Sequence, residues 1–211
     1  PTTTEPGYGE RVLPANELVK QDVSARPTIV WFYSVEDDRA NQVCEGTIFQ
    51  NEQIGLSLKR FRCVRIDVDE ISDSKLRTQY DNTPSFVVYD PKGETVAKLE
   101  GRSATSTSRF SGMVRQAWGK LFTMKQKDFV KSMTKILDRM DRVSSQQQVL
   151  TAKKQRAEKK GNRAKLAAIA REEAELNAVL AEVQDDETAI LERCQLRAEY
   201  REAGDEVASA K

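Results

Sequence analysis

The chain has 211 residues, with 34 Lys plus Arg against 33 Asp plus Glu and a formal net charge of +1. That length suits one domain or two small ones, and the balanced charge excludes a generally basic nucleic-acid binder while leaving room for a local patch. There is no histidine, which excludes His-based dyads, triads and metal sites. The three cysteines, Cys44, Cys63 and Cys194, are too widely spaced for a disulfide scaffold or a zinc site.

Residues 1–10 (PTTTEPGYGE) read as a flexible lead-in, and 15–22 as a short helix. Thr28-Ile29-Val30-Trp31-Phe32-Tyr33 is a continuous β-branched and aromatic run, the pattern of a buried central strand. Residues 37–58 read as helix, weakest at Gly46 and Gly55. Phe61 to Val68 is a second strand, 72–80 a short helix, and Ser85 to Tyr89 a third strand. Asp90-Pro91-Lys92-Gly93 is a turn by composition, leading into a fourth strand over Thr95 to Glu100. An amphipathic helix follows over 105–121. The order predicts a mixed sheet flanked by helices, an α/β arrangement.

The composition then changes. All six prolines lie in residues 1–91, eight of ten glycines lie before residue 120, and only Phe129 and Tyr200 among the aromatics follow residue 123. Turn formers and ring side chains mark a globular core, so the remainder reads as long helix. Thr123 and Gln126 have capping-box spacing and could open it. Phe129, Met133, Ile136, Met140, Val143, Gln147, Leu150, Lys154 and Ala157 step by four and three. After Gly161-Asn162 a second such seam runs Leu166, Ile169, Glu173, Leu176, Leu180, Val183, Glu187, Ile190, Cys194. Gly and Asn tolerate left-handed backbone, so a turn is expected near 161–162. The expected product is an antiparallel coiled-coil hairpin over 123–203, projecting as a stalk, with a flexible tail at 204–211. Its register pairs Ala157 with Leu166, Val143 with Leu180, Met133 with Ile190 and Phe129 with Cys194. One continuous helix in an intermolecular coiled coil is the alternative.

Residues 125–171 carry 14 basic and 4 acidic side chains, whereas 172–211 carry 4 basic and 12 acidic. Complementary arms, or complementary copies, explain this asymmetry. Lys153, Lys154, Arg156, Lys159, Lys160, Arg163 and Lys165 crowd around the expected turn. Such a basic tip could hold RNA phosphates, an anionic membrane surface or an acidic protein face. It lacks interleaved aromatics for base stacking and a strong apolar face for lipid.

Residues 11–121 resemble the thioredoxin fold family. The resemblance is carried by the apolar strand ending in Phe32-Tyr33-Ser34, by Val64-Arg65-Ile66-Asp67-Val68-Asp69-Glu70, and by Thr83-Pro84-Ser85-Phe86-Val87-Val88-Tyr89-Asp90-Pro91-Lys92-Gly93. It implies a cis Thr83–Pro84 bond. The family's Cys-x-x-Cys position holds Asp37-Asp38-Arg39-Ala40, and Trp31 stands where many relatives carry a buried acid. Those departures imply a redox-inactive, non-enzymatic member that uses no cofactor and no metal. Asp37 and Asp38 read as helix-start acids. Cys44 reads as a small buried apolar residue, with a single-cysteine redox role as the alternative. Cys63 reads as core, and a Cys44–Cys63 staple stays open.

What the resemblance leaves is a partner groove lined by Tyr33, Glu36, Asp37, Asp38, Thr83 and Pro84. The expected function is a structural or adaptor subunit. Its partners would be proteins of a larger assembly, including further copies through the coiled coil. No stretch approaches the ~18 apolar residues of a membrane span, so the expectation is a soluble protein. Pro1 is not preceded by Met, so the compartment stays open between cytoplasmic and extracytoplasmic after processing.

Overall fold

A computed structural model describes residues 26–201. The expected flexible lead-in, the helix at 15–22 and the tail at 204–211 lie outside the described residues. The described residues form two compact units, 26–126 with 196–201, and 127–195.

The first unit is built on four strands: β1 (Thr28–Tyr33), β2 (Arg62–Asp67), β3 (Ser85–Tyr89) and β4 (Thr95–Glu100). Their order is β2-β1-β3-β4. β1 runs parallel to β2, with Trp31 beside Arg65, and antiparallel to β3, with Trp31 beside Phe86. β3 and β4 form the hairpin expected across Asp90–Gly93. Asp90 is buried there because its carboxylate accepts from the backbone N–H of Lys92 (2.8 Å) and Glu94 (2.9 Å). Gly93 takes φ of 83°, which a residue with a Cβ adopts poorly. The strand and helix order and the cis Thr83–Pro84 bond make this the thioredoxin-like arrangement.

Alternation along β1 splits its side chains between two cores. Val30 and Phe32 join Val68, Ile71, Val87 and Tyr89 on one face. Trp31 turns to the other and meets Phe49 at 5.2 Å and Phe86 at 6.1 Å between ring centroids. α4 (Thr107–Leu121) contributes Phe110, 4.6 Å from Phe86. Ser106 starts that helix by accepting from Arg109 N–H.

The helix expected over 37–58 is three pieces. α1 (Asp38–Val43) widens into a turn over Cys44–Ile48, where the N–H of Phe49 reaches back five residues to the carbonyl of Cys44 (3.0 Å). α2 (Glu52–Leu58) then starts afresh, with Asn51 accepting from Ile54 N–H. The α-helical pattern is lost over Cys44–Ile48, which contains the expected weak point Gly46, and not at Gly55. A capping Asn sets where α2 restarts, because its side chain offers the backbone an alternative to continued helix. α3 (Ser74–Thr78) is capped by Asp73.

Cys63 is exposed, contrary to the core position expected for it. Among the described residues β2 is an edge strand, and the face carrying Cys63 and Arg65 is open while Val64 and Ile66 face the core.

The second unit is a helical hairpin of α5 (Gln126–Lys159) and α6 (Arg163–Arg193). Gly161 has φ of 60°, and Asn162 caps α6 by accepting from Lys165 N–H. The turn therefore lies where expected. Gln126 opens α5, and its side-chain amide donates to the Ser57 hydroxyl (2.8 Å). Residues 196–201 group with the sheet unit rather than with the hairpin. Arg197 N–H donates to the Leu121 carbonyl, and Leu196 bridges Phe122.

Buried positions recur every seventh residue, at Ile136, Val143, Leu150 and Ala157 on α5 and at Ile169, Leu176, Val183 and Ile190 on α6. Leu166 and Leu180 pack, partly buried, against this seam. Ion pairs Lys153–Glu172 (3.3 Å), Lys154–Glu173 (3.0 Å), Arg139–Glu182 (3.8 Å) and Arg139–Asp186 join the two arms.

Candidate functional site

The C-terminal end of β1 and the N-terminal end of β3 lie side by side, with Phe32 paired to Ser85. This register gathers the Tyr33–Asp38 loop and the Thr83–Pro84 segment at one end of the sheet. Tyr33 and Thr83 are half-buried, Glu36 and Asp38 exposed, and Pro84 buried. Asp37 caps α1 by accepting from Ala40 N–H (3.1 Å), the structural role the sequence suggested. The Pro84 carbonyl accepts from Gly101 N–H (2.9 Å), which fastens this segment to the end of β4. Gly101 has φ of 55°, and a Cβ there would come within 2.7 Å of Asn82 Oδ1.

Sequence reasoning missed what closes one side of this end. Ser34 donates to Asp69 (2.6 Å), whose other oxygen pairs with Arg77 (2.7 Å). Arg65 lies over the Tyr33 ring (4.3 Å) and pairs with Glu45 (3.1 Å). Asp69 was visible as an acid leaving a strand. Its partner Ser34 is 35 residues away, beyond the reach of any local pattern. The result is a polar rim, with two cations, two carboxylates and a hydroxyl, beside a half-buried tyrosine and a buried proline.

No thiol stands at the start of α1. Ala40 occupies the buried position there, and Cys44 is fully buried one turn further on. Burial, with Asp37 and Glu45 nearby, pushes the Cys44 thiol up to about 11. Cys63, though its surface is exposed, is also raised, because the groups packed around it displace part of its hydration, with Arg26 acting in the opposite direction. At neutral pH both are thiols rather than thiolates, and the thiolate is the nucleophile. All three cysteines are free, so the Cys44–Cys63 staple is not formed. Among the described residues no cluster of His, Cys, Asp or Glu could hold a metal ion. No helix there is long and apolar enough to cross a membrane.

The seven basic residues expected at the hairpin turn divide into two sets. Lys153 and Lys154 pair with Glu172 and Glu173. Arg156, Lys159, Lys160, Arg163 and Lys165 are exposed around Gly161.

No protein-family model and no curated relative matches the sequence. Solved structures do. A thioredoxin from Thermus thermophilus is 25% identical over 50% of this chain and 85% of its own, with a TM-score of 0.40. A chain from work on thiol resolution in yeast mitochondrial 1-Cys peroxiredoxin is 21% identical, covering 50% and 95% with a TM-score of 0.34. A disulphide isomerase from Xylella fastidiosa Temecula1 is 17% identical, covering 64% and 99% with a TM-score of 0.34.

Proposed function

We propose that this chain is a non-catalytic adaptor or structural subunit. Its thioredoxin-like unit would hold a protein partner at the sheet end formed by Tyr33, Glu36, Asp37, Asp38, Thr83 and Pro84. Its helical hairpin would supply a second, coiled-coil-type contact. The observation that carries this reading is the chemistry at the start of α1. A capping carboxylate and a buried alanine stand there, while the thiols lie elsewhere and are held protonated. A thiol–disulfide exchange site needs an accessible thiolate with a second thiol to resolve it. The polar rim and the partly buried ring beside it suit recognition instead, where a rigid aromatic anchor and flanking charges give affinity and register.

The test is isolation of the intact protein from its source with crosslinking mass spectrometry. Crosslinks from a stable complex to 33–38, to the loop around Thr83 and to the hairpin support the adaptor reading. Recovery only as mixed disulfides through Cys44 would overturn it in favour of thiol chemistry.

A further inference from the structure

A hairpin of two helices covers only the stripe that each arm turns to the other, so the surface on either side of that seam stays open to further packing. On one side a groove of about 530 Å³ runs between the arms, where Val149 on α5 and Val179 on α6 flank the buried Leu150 and Leu176. Among the described residues three large apolar side chains are exposed, and two of them stand in this groove, Val149 at 55% and Val179 at 39%. Scattered singly they would mean little. Converging beside a buried seam, they extend it outward. The groove on the other side of the same seam is lined instead by Gln147, Thr151, Glu173 and Asn177.

Charge on the valine side is sorted by arm. Helical spacing puts Arg142 and Arg156 one heptad to either side of Val149, on the α5 edge with Lys153. It puts Glu182 one heptad from Glu175, on the α6 edge with Glu172. Lys153 and Glu172 pair across the arms at 3.3 Å, and Glu182 lies 3.8 Å from Arg139. Arg142, Arg156 and Glu175 have no ion-pair partner among the described residues. The face therefore has a basic edge and an acidic edge, with unused charge on both and the valines between.

A surface of that kind is complementary to itself under a twofold axis. An axis running along the arms sets α5 of each copy across from α6 of the other, basic edge on acidic edge, with Val149 opposite Val179. An axis crossing the arms would set α5 on α5 and α6 on α6, like charge on like. A partner of a single sign would complement one edge and repel the other. We propose that this groove seats a second copy of the chain, two hairpins joining in parallel as a four-helix bundle. The proposal rests on the reading of the hairpin as a coiled-coil-type contact and names its occupant.

The experiment uses the full chain carrying Cys63→Ser, which removes the exposed thiol. Sedimentation equilibrium is expected to show a dimer. Its dissociation constant should rise by roughly tenfold or more in Val149→Asn/Val179→Asn, because apolar side chains leave the shared seam, while the helical circular dichroism is unchanged. In the same background a Val149→Cys chain is mixed with a Val179→Cys chain under mild oxidation. The disulfide between unlike chains should form faster than either disulfide between like chains. A monomer at all concentrations overturns the proposal. So does a dimer indifferent to the paired Asn substitutions, or faster joining of like chains. A monomer whose hairpin still crosslinks to a different protein in the isolation experiment overturns the second copy and keeps the adaptor reading. A dimer recovered with no other protein bound keeps the second copy and overturns the adaptor reading.

Discussion

In the sheet unit each core ring has different neighbours, whereas in the hairpin much the same layer recurs every seven residues. Phe86 meets Trp31, Phe49 and Phe110, which come from three separate elements or turns. No shift of one element could replace those contacts with equivalents. Leu150 and Leu176 sit between near-copies of themselves, with Val143 and Ala157 along one helix and Ile169 along the other. Sliding one arm by a layer exchanges one apolar row for another, so apolar packing alone chooses the register weakly. Charged pairs cross the hairpin as well: Lys154 with Glu173, Lys153 with Glu172, and Arg139 with both Glu182 and Asp186. Aromatic packing thus specifies one unit, while a repetitive apolar seam with sparse ion pairs holds the other.

The largest test of that contrast is truncation of one core side chain in each unit. Both tryptophans lie in the sheet unit, so their fluorescence reports it alone, while helical circular dichroism is weighted to the hairpin. Phe86→Ala should cost about 3–5 kcal/mol in denaturant unfolding followed by tryptophan emission. Leu150→Ala should cost about 2 kcal/mol, seen in the helical signal, because an exposed two-helix layer can collapse around the gap. A hairpin loss exceeding that of the sheet unit would break the comparison.

Alkaline pH should weaken the sheet unit selectively. The folded Cys44 thiol is raised from 9.0 to about 11. Below pH 9 it is protonated in both states and its contribution is intact. As pH rises from 9 through 11 the unfolded chain loses the proton first, so stability falls. The loss attributable to this thiol is on the order of 2 kcal/mol. Comparison with Cys44→Ala should show the alkaline slope reduced in the variant. An unchanged slope would mean that Cys44 is not held protonated.

Smaller effects sharpen the contrast. Asp37→Ala removes the cap of α1 and should cost about 1 kcal/mol, while Asp37→Asn should largely retain it. Lys154→Glu sets like charges against Glu173 and should lower hairpin stability by roughly 0.2–1 kcal/mol, with recovery in the swapped pair Lys154→Glu/Glu173→Lys. Disulfide trapping between cysteines placed at Ala157 and Leu166, the pair expected from apolar spacing, would show whether the single variant also changes register.

Strands and turns were legible because their signals are local. The run at Thr28–Tyr33, the Ser85–Tyr89 strand, the Asp90–Gly93 turn and the Gly161-Asn162 reversal each carry their instruction within a few residues. The cap at Asp37 was legible for the same reason. The restart of helix at Asn51, the exposure of Cys63 and the rim made by Ser34, Asp69 and Arg77 were not. Each depends on which strand lies at the edge or on residues distant in the chain meeting in space.

The sequence by itself determined the two-part organisation, the strand order along the chain, the turn of the hairpin and the absence of a thiol pair at the start of α1. Periodicity, turn chemistry and residue identity are properties of short segments and need no fold to be read. Tertiary structure alone decided the exposure of Cys63 and the polar rim, because each depends on which strand lies at the sheet edge among the described residues, or on groups far apart in the chain meeting in space, as Ser34 and Asp69 do across 35 positions.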